Sequence, residues 1–319
     1  MKKLISLVCA LSLIFALCAC GAAPAEKTQF KVGVCQLVQH VALDAATQGF
    51  VDTLKAELGE DAVTVDVQNA SGESANCATI VNGFVSDGVD LIMANATAAL
   101  QAASSATDTI PVLGTSITDY ATALEIDGWT GTVGGNVSGT SDLSPLDQQA
   151  AIVKELFPDA ALVGLLYCTA EANSVYQCDV MEKELTALGF GVKRFGFNDS
   201  NDVTAVAQSA ADECDVIYIP TDNTAASNKE AIANVLLPAG VPAVCGEENL
   251  CAGCGVATLS IDYYDLGVAT GKMAVKILKG EADISQMPVE FAPNVTKKFD
   301  QGVCDALGIS APEGFVAIG

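Results

Sequence analysis

From residue 30 onward, short β-branched runs alternate with stretches that carry apolar residues at helical spacing. Residues 30–36 (FKVGVCQ) read as a strand, and residues 42–58 follow with Leu43, Ala46, Phe50 and Leu54 three and four positions apart. Strands at 63–68, 90–94 and 111–115, separated by helices at 74–86 and 97–106, complete one wound unit. After an irregular stretch at 126–140 the rhythm restarts. Helices at 146–157, 174–188, 202–211 and 224–237 interleave with strands at 161–167, 191–195, 216–219 and 242–245. Such alternation is the signature of parallel sheets covered by helices.

A third segment follows the two units. Residues 255–261 (GVATLSI) read as a strand, and residues 289–295 as an extended run. Between them, residues 263–278 read as a helix with Met273, Ala274, Ile277 and Leu278 inward and Lys272, Lys276 and Lys279 outward. With residues 133–140 these make three candidate crossings between units. The expected fold class is α/β, two doubly wound parallel-sheet lobes joined by three crossover strands, with a ligand cleft between them. The expected division is 30–135 plus 258–288 for the N-terminal lobe, and 136–257 plus 289–319 for the C-terminal lobe.

The first twenty residues change where this fold is expected to work. Lys2 and Lys3 precede one short apolar run, and Leu17-Cys18-Ala19-Cys20 places small residues at a cleavage point. Residues 1–19 read as a signal peptide, and Cys20 as the lipidated first residue of a protein held on the outer face of the cell membrane. Residues 20–29 then form a tether.

Formal charge is −24, and −26 once Lys2 and Lys3 are removed. Such a surface repels phosphates and argues against nucleic acid as a partner. Arg194 is the sole arginine and His40 the sole histidine, which argues against arginine clamps and histidine metal sites. No cofactor is expected. Apart from Cys20, the mature chain holds nine cysteines, mostly within apolar runs where thiols act as small core side chains. Cys251 and Cys254 have redox spacing, but no second CxxC completes a metal site.

Several stretches together carry a family resemblance. They are residues 35–45 (CQLVQHVALDA), 136–142 (NVSGTSD), 171–174 (EANS), 220–223 (PTDN), 246–248 (GEE) and 261–267 (IDYYDLG). In this order they resemble the substrate-binding lipoproteins of tryptophan/tyrosine-type ABC importers, of the class I periplasmic-binding fold. Val41 and Tyr120 depart from that pattern where prolines are expected. The resemblance implies capture of a small amino acid, in this family often aromatic, and delivery to membrane permease subunits.

The residues themselves show how a zwitterion would be held. With arginine nearly absent, a ligand carboxylate needs backbone N–H groups and hydroxyls at helix starts. Thr97, Ser116 and Thr118 have that chemistry, with Asp119 beside them; capping of its own helix is the alternative role for Thr97. The ammonium needs a carboxylate, and Glu171, Asp222, Glu247 and Asp262 each follow an expected strand. Capping and solvation are the alternatives there, and the sequence leaves open which acid binds. Asn173, Ser174, Thr221 and Asn223 share those loops. Gln36 and His40 follow the opening strand, and residues 69–74 form another strand-end loop. Tyr120, Trp129, Tyr176 and Phe197 are the aromatic residues available to wall the site.

Two other classes fit parts of the chain. One is an enzyme, either a thiol oxidoreductase using Cys251 and Cys254 or a hydrolase using His40 as base. No GxSxG elbow supports the latter. The other is a sensory ligand-binding lipoprotein.

Overall fold

A computed structural model describes residues 29–292 and 294–319. The signal segment, Cys20 and nearly all of the tether lie outside the described residues.

The first lobe runs β1 (Phe30–Gln36), α1 (Val41–Leu58), β2 (Val63–Asn69), α2 (Ser74–Asp87), β3 (Leu91–Asn95), α3 (Thr97–Ala106), β4 (Val112–Ile117), α4 (Tyr120–Ala123) and β5 (Val137–Ser141). The second runs α5 (Leu146–Leu156), β6 (Leu162–Cys168), α6 (Ala172–Ala187), β7 (Gly191–Phe197), α7 (Val203–Glu213), β8 (Val216–Ile219), α8 (Asn223–Ser227), α9 (Lys229–Ala239), β9 (Ala243–Cys245), α10 (Glu248–Cys251) and β10 (Ala257–Ser260). The chain then returns through α11 (Tyr263–Leu278) and β11 (Glu290–Phe291) before β12 (Thr296–Phe299), α12 (Gln301–Leu307) and β13 (Val316–Ala317).

Two sheets result. One has the order β11-β5-β4-β3-β1-β2 and the other β13-β12-β10-β9-β8-β6-β7. All pairings are parallel except β10 with β12. Strand order reverses direction at β1 and β3 in the first sheet and at β6 and β8 in the second. These are the switch points where loops diverge and leave a crevice.

Each sheet is covered on both faces, as the near-continuous apolar strands require. In the first lobe Phe84, Ile92 and Leu100 fill one face, and Phe50, Leu54 and Met273 the other. Phe50 and Leu54 are fully buried, each contributing about 1.5–3 kcal/mol. In the second lobe Ile217, Ile232 and Leu236 pack opposite Val153, Met181 and Tyr218 across the sheet.

The helix α11 belongs with the first lobe although the strand before it belongs to the second. It lies so close to α1 that a Cβ on Gly267 would sit 2.0 Å from the Ala46 carbonyl, and one on Gly49 would sit 2.2 Å from the Tyr264 carbonyl. Glycine is required at both points for this approach.

The expected lobe boundaries shift at each crossing. β5 pairs with β4 in the first sheet, where residues 136–141 were expected in the second lobe. β10 pairs with β9, so residues 258–260 join the second lobe. β11 pairs with β5, so residues 290–291 join the first. Hydrophobic alternation reveals a strand but not its partner, because both sheets demand the same pattern. The crossings are therefore the short segments 142–145 and 261–262, with the third between β11 and β12. The expected helix at 224–237 is two helices, with Asn228 (φ −119°) between them.

Candidate functional site

The carboxyl ends of β1, β3 and β4 face those of β6, β8 and β9 across the crevice. A deep, narrow cavity of about 10 Å3, roughly room for one water, lies between His40, Ser116 and Asp142 on one side and Asp222, Asn223 and Glu247 on the other. It joins, through Asn173 and Asn223, an outer cavity of about 350 Å3. Leu37, Thr97 and the 71–74 loop edge the outer cavity opposite Glu171 and Asn198.

The lobes touch across this site. His40 Nε2 lies 3.3 Å from Asn223 Oδ1. Gln177 Nε2 donates to Thr118 Oγ1 at 3.4 Å and to the Thr221 carbonyl at 3.1 Å, while its own carbonyl accepts from Thr221 N at 3.0 Å.

Two buried side-chain atoms on the deep cavity's lining residues have no hydrogen-bond partner, Ser116 Oγ and His40 Nδ1. An unmet polar atom in an interior costs roughly 1–3 kcal/mol. Asn95 Oδ1 and Thr258 Oγ1, away from the cavities, share this state, but Ser116 Oγ and His40 Nδ1 are the ones a ligand in the deep cavity would reach. Backbone strain falls at the same place. Ser116 has φ +55°, at an irregularity of β4 between Gly114 and Ile117, and Ala96, just before α3, has φ +89°. Non-glycine residues in such conformations cluster at ligand clamps.

Three fully buried carboxylates line the deep cavity. Burial pushes Asp142 up to about 6, against the opposing hydrogen bonds from Tyr263 and Thr118. Asp222 is pushed up to about 8 by burial and by the charge of Glu171. Glu247 is pushed up to about 7 by burial, with its bonds from Asn249 and Leu250 opposing. Among the described residues, no lysine or arginine lines either cavity. Lys229 acts on Glu247 through space while its Nζ donates to the Asn249 carbonyl at 2.7 Å. Burial lowers the pKa of His40, so its ring is neutral at pH 7 and adds no positive charge.

The acidic loops are built from helix starts. Asp222 Oδ1 accepts from Ala225 N at 2.7 Å, capping α8, and Oδ2 accepts from Cys168 N at 2.6 Å. Glu247 caps α10 by accepting from Asn249 N and Leu250 N. Glu171 accepts from Asn223 N, Thr224 N and both of their side chains, at 2.7 to 3.1 Å. Capping holds these carboxylates in place, and Asp222 and Glu247 still line the deep cavity.

Of the sequence-predicted residues, His40, Ser116, Thr118, Thr221, Asp222 and Glu247 meet in the deep cavity. Asn173 and Asn223 serve both cavities, while Thr97 and Glu171 line the outer one. Four others line neither cavity. Gln36 is held locally, donating to Asp44 Oδ1 at 2.7 Å and accepting from Thr47 Oγ1 at 2.6 Å. Asp119 caps α4 through Thr122 N, and exposed Asp262 caps α11 through Asp265 N. Ser174 is fully buried behind Asp222. The expected aromatic walls are elsewhere. Tyr120 donates to the Thr140 carbonyl and stacks on Trp129 at 6.4 Å, Phe197 sits in the second lobe's core, and Tyr176 lines neither cavity.

Asp142 and Tyr263 line the deep cavity and sequence reasoning passed over both. Each follows a strand directly before a crossing, and their placement depends on which sheet that strand joins. The nine described cysteines are free and buried. Burial raises the Cys251 thiol, and contact with Cys245 followed by burial raises that of Cys254, so neither has the low-pKa character of a reactive thiol.

Two wound lobes, three crossings and a polar cavity between facing loop sets define a two-lobed ligand-binding protein. The chain belongs to the ABC transporter substrate binding protein family, whose model matches residues 31–318. It is 35% identical over 266 residues to a "Tyrosine-binding protein" of Clostridioides difficile (strain R20291), covering 83% of this chain and 76% of that one. A Streptococcus pneumonia protein solved in complex with L-Trp shares 33% identity, with a TM-score of 0.85 over 89% of this chain and 96% of that one. The ligand-free, open structure of a substrate binding protein with adhesive properties from Clostridium difficile shares 34% identity, over 91% of this chain and 99% of that one. Its TM-score is only 0.69. At nearly equal identity the better match is to the ligand-bound relative, in keeping with the contacts between the lobes described above.

Proposed function

We propose that this protein is an exported receptor that captures an aromatic amino acid between its lobes and hands it to the permease subunits of an ABC importer. The observation that carries the reading is the pairing, in one interlobe cavity, of buried carboxylates with the unpartnered Ser116 hydroxyl and His40 Nδ1. The ligand's ammonium would be met by Asp222 and Glu247, with Asp142 nearby. Its carboxylate would be met by Ser116 and the N–H groups opening α3 at Thr97, in a helix-start setting that favours anions; the Thr118 hydroxyl already donates to Asp142. The side chain would extend past Asn173 and Asn223 into the outer cavity. The names of the relatives, one tyrosine-binding and one solved with L-Trp, support an aromatic ligand.

Cleavage before Cys20 and lipidation there would hold the receptor on the outer membrane face, within reach of the permease. The hinge would be the crossings at 142–145, at 261–262 and between β11 and β12. The test is a thermal-shift panel on the mature protein, since a ligand that binds only the folded state raises its melting temperature. L-Tyrosine, L-tryptophan or L-phenylalanine is expected to raise it, and sugars and nucleosides are not. A shift with a sugar alone would refute the ligand class.

A further inference from the structure

The charge of the cleft goes beyond what a zwitterion needs. Asp142, Asp222 and Glu247 line the deep cavity, and Glu73, Glu171 and Asp199 line the outer one. Among the described residues neither cavity has a lysine or arginine on its wall, and nearby Lys229 is bonded to the Asn249 carbonyl. A buried charge without an opposite partner is strongly disfavoured, so an ammonium gains on entering this cleft and a carboxylate is admitted against the field. What the cleft offers a ligand carboxylate is the Ser116 hydroxyl and backbone N–H groups, with no cation to match it.

From this we infer that the cleft recognises the ammonium first and accepts arylalkyl amines that lack the carboxylate altogether. The inference rests on the amino-acid reading for where the ligand sits, and it extends the substrate class of that site. Removing the ligand carboxylate forfeits its contacts with Ser116 and the backbone N–H groups and relieves its repulsion by those of the six acidic side chains that are ionised, so affinity is largely kept. Removing the ammonium leaves the buried carboxylates facing a second anion.

Three ligands of one shape test this by calorimetry on the mature protein: L-tyrosine, tyramine and 3-(4-hydroxyphenyl)propanoate. Tyramine is expected to bind within about tenfold of L-tyrosine, or more tightly, and the propanoate more than about 100-fold more weakly than tyramine. Glu247→Gln is expected to weaken tyramine as well as L-tyrosine. If L-tyrosine binds and tyramine is more than about tenfold weaker, the inference falls and the amino-acid reading stands. If tyramine binds and L-tyrosine does not, the amino-acid reading falls and the inference stands. Comparable binding of the propanoate, or no binding by any of the three, overturns the inference.

Discussion

The Tyr263 hydroxyl donates to Asp142 Oδ2 at 2.9 Å, within the wall of the deep cavity. Asp142 directly follows β5 at the first crossing, and Tyr263 opens α11 after the second. One buried hydrogen bond thus ties the residue that opens the first crossing to the one that follows the second, at the cavity wall. Tyr263→Phe removes the donor and leaves a buried carboxylate short of a partner, which costs about 1–3 kcal/mol. Denaturant unfolding should show that loss, and calorimetry a weaker ligand.

The buried acids give ligand-free stability a pH dependence of definite sign. Asp142, Glu247 and Asp222 have folded values of about 6, about 7 and about 8, above the ordinary carboxylate value near 4. The folded protein therefore retains protons that the unfolded chain releases. Stability from these groups is complete below about pH 4 and is lost as pH rises through their folded values. Melting temperature without ligand should fall from pH 5 to pH 8. Asp142→Asn and Glu247→Gln should flatten the fall, which separates these groups from the general repulsion of an acidic surface. A melting temperature that rises over this range would contradict the assignment.

Much of the fold was legible because the periodicities are strong. Leu43, Ala46, Phe50 and Leu54 are all buried, as their spacing in α1 requires. The pattern did not show sheet membership, since β5 and β10 look alike in sequence and join opposite sheets. That ambiguity hid Asp142 and Tyr263, whose roles depend on the crossing. The strand-end rule pointed to His40, Ser116, Asp222 and Glu247, which line the deep cavity, but it could not separate Asp262, which caps α11. The aromatic residues misled because large rings are equally valuable in cores, and Tyr120 and Phe197 are there.

Ser116 combines a strained backbone with an unmet hydroxyl, and Ser116→Gly separates the two. Glycine adopts φ +55° freely, so relief of strain should raise stability by up to about 1 kcal/mol in thermal or denaturant unfolding. Loss of the hydroxyl should weaken aromatic amino-acid binding by about tenfold or more. A variant that is destabilised yet binds normally would show that the hydroxyl serves the fold.

The approach of α1 to α11 should tolerate no side chain. Gly267→Val places its branch against the Ala46 backbone and should cost at least about 1–3 kcal/mol. Gly83→Ala is the control: nothing lies within 4 Å of its Cβ on the exposed face of α2, and it should stabilise by up to about 1 kcal/mol. Chemical denaturation of both variants checks the pair.

The central claim is that the lobes close around an ammonium held by acidic loops of the second lobe. A crystal structure of the mature protein grown with L-tyrosine tests it most directly. The account predicts the ligand nitrogen at about 2.7–3.0 Å from a carboxylate oxygen of Asp222 or Glu247, with Ser116 Oγ bonded to the ligand carboxylate. A ligand bound outside the cleft, or one whose nitrogen meets neither acid, would contradict it.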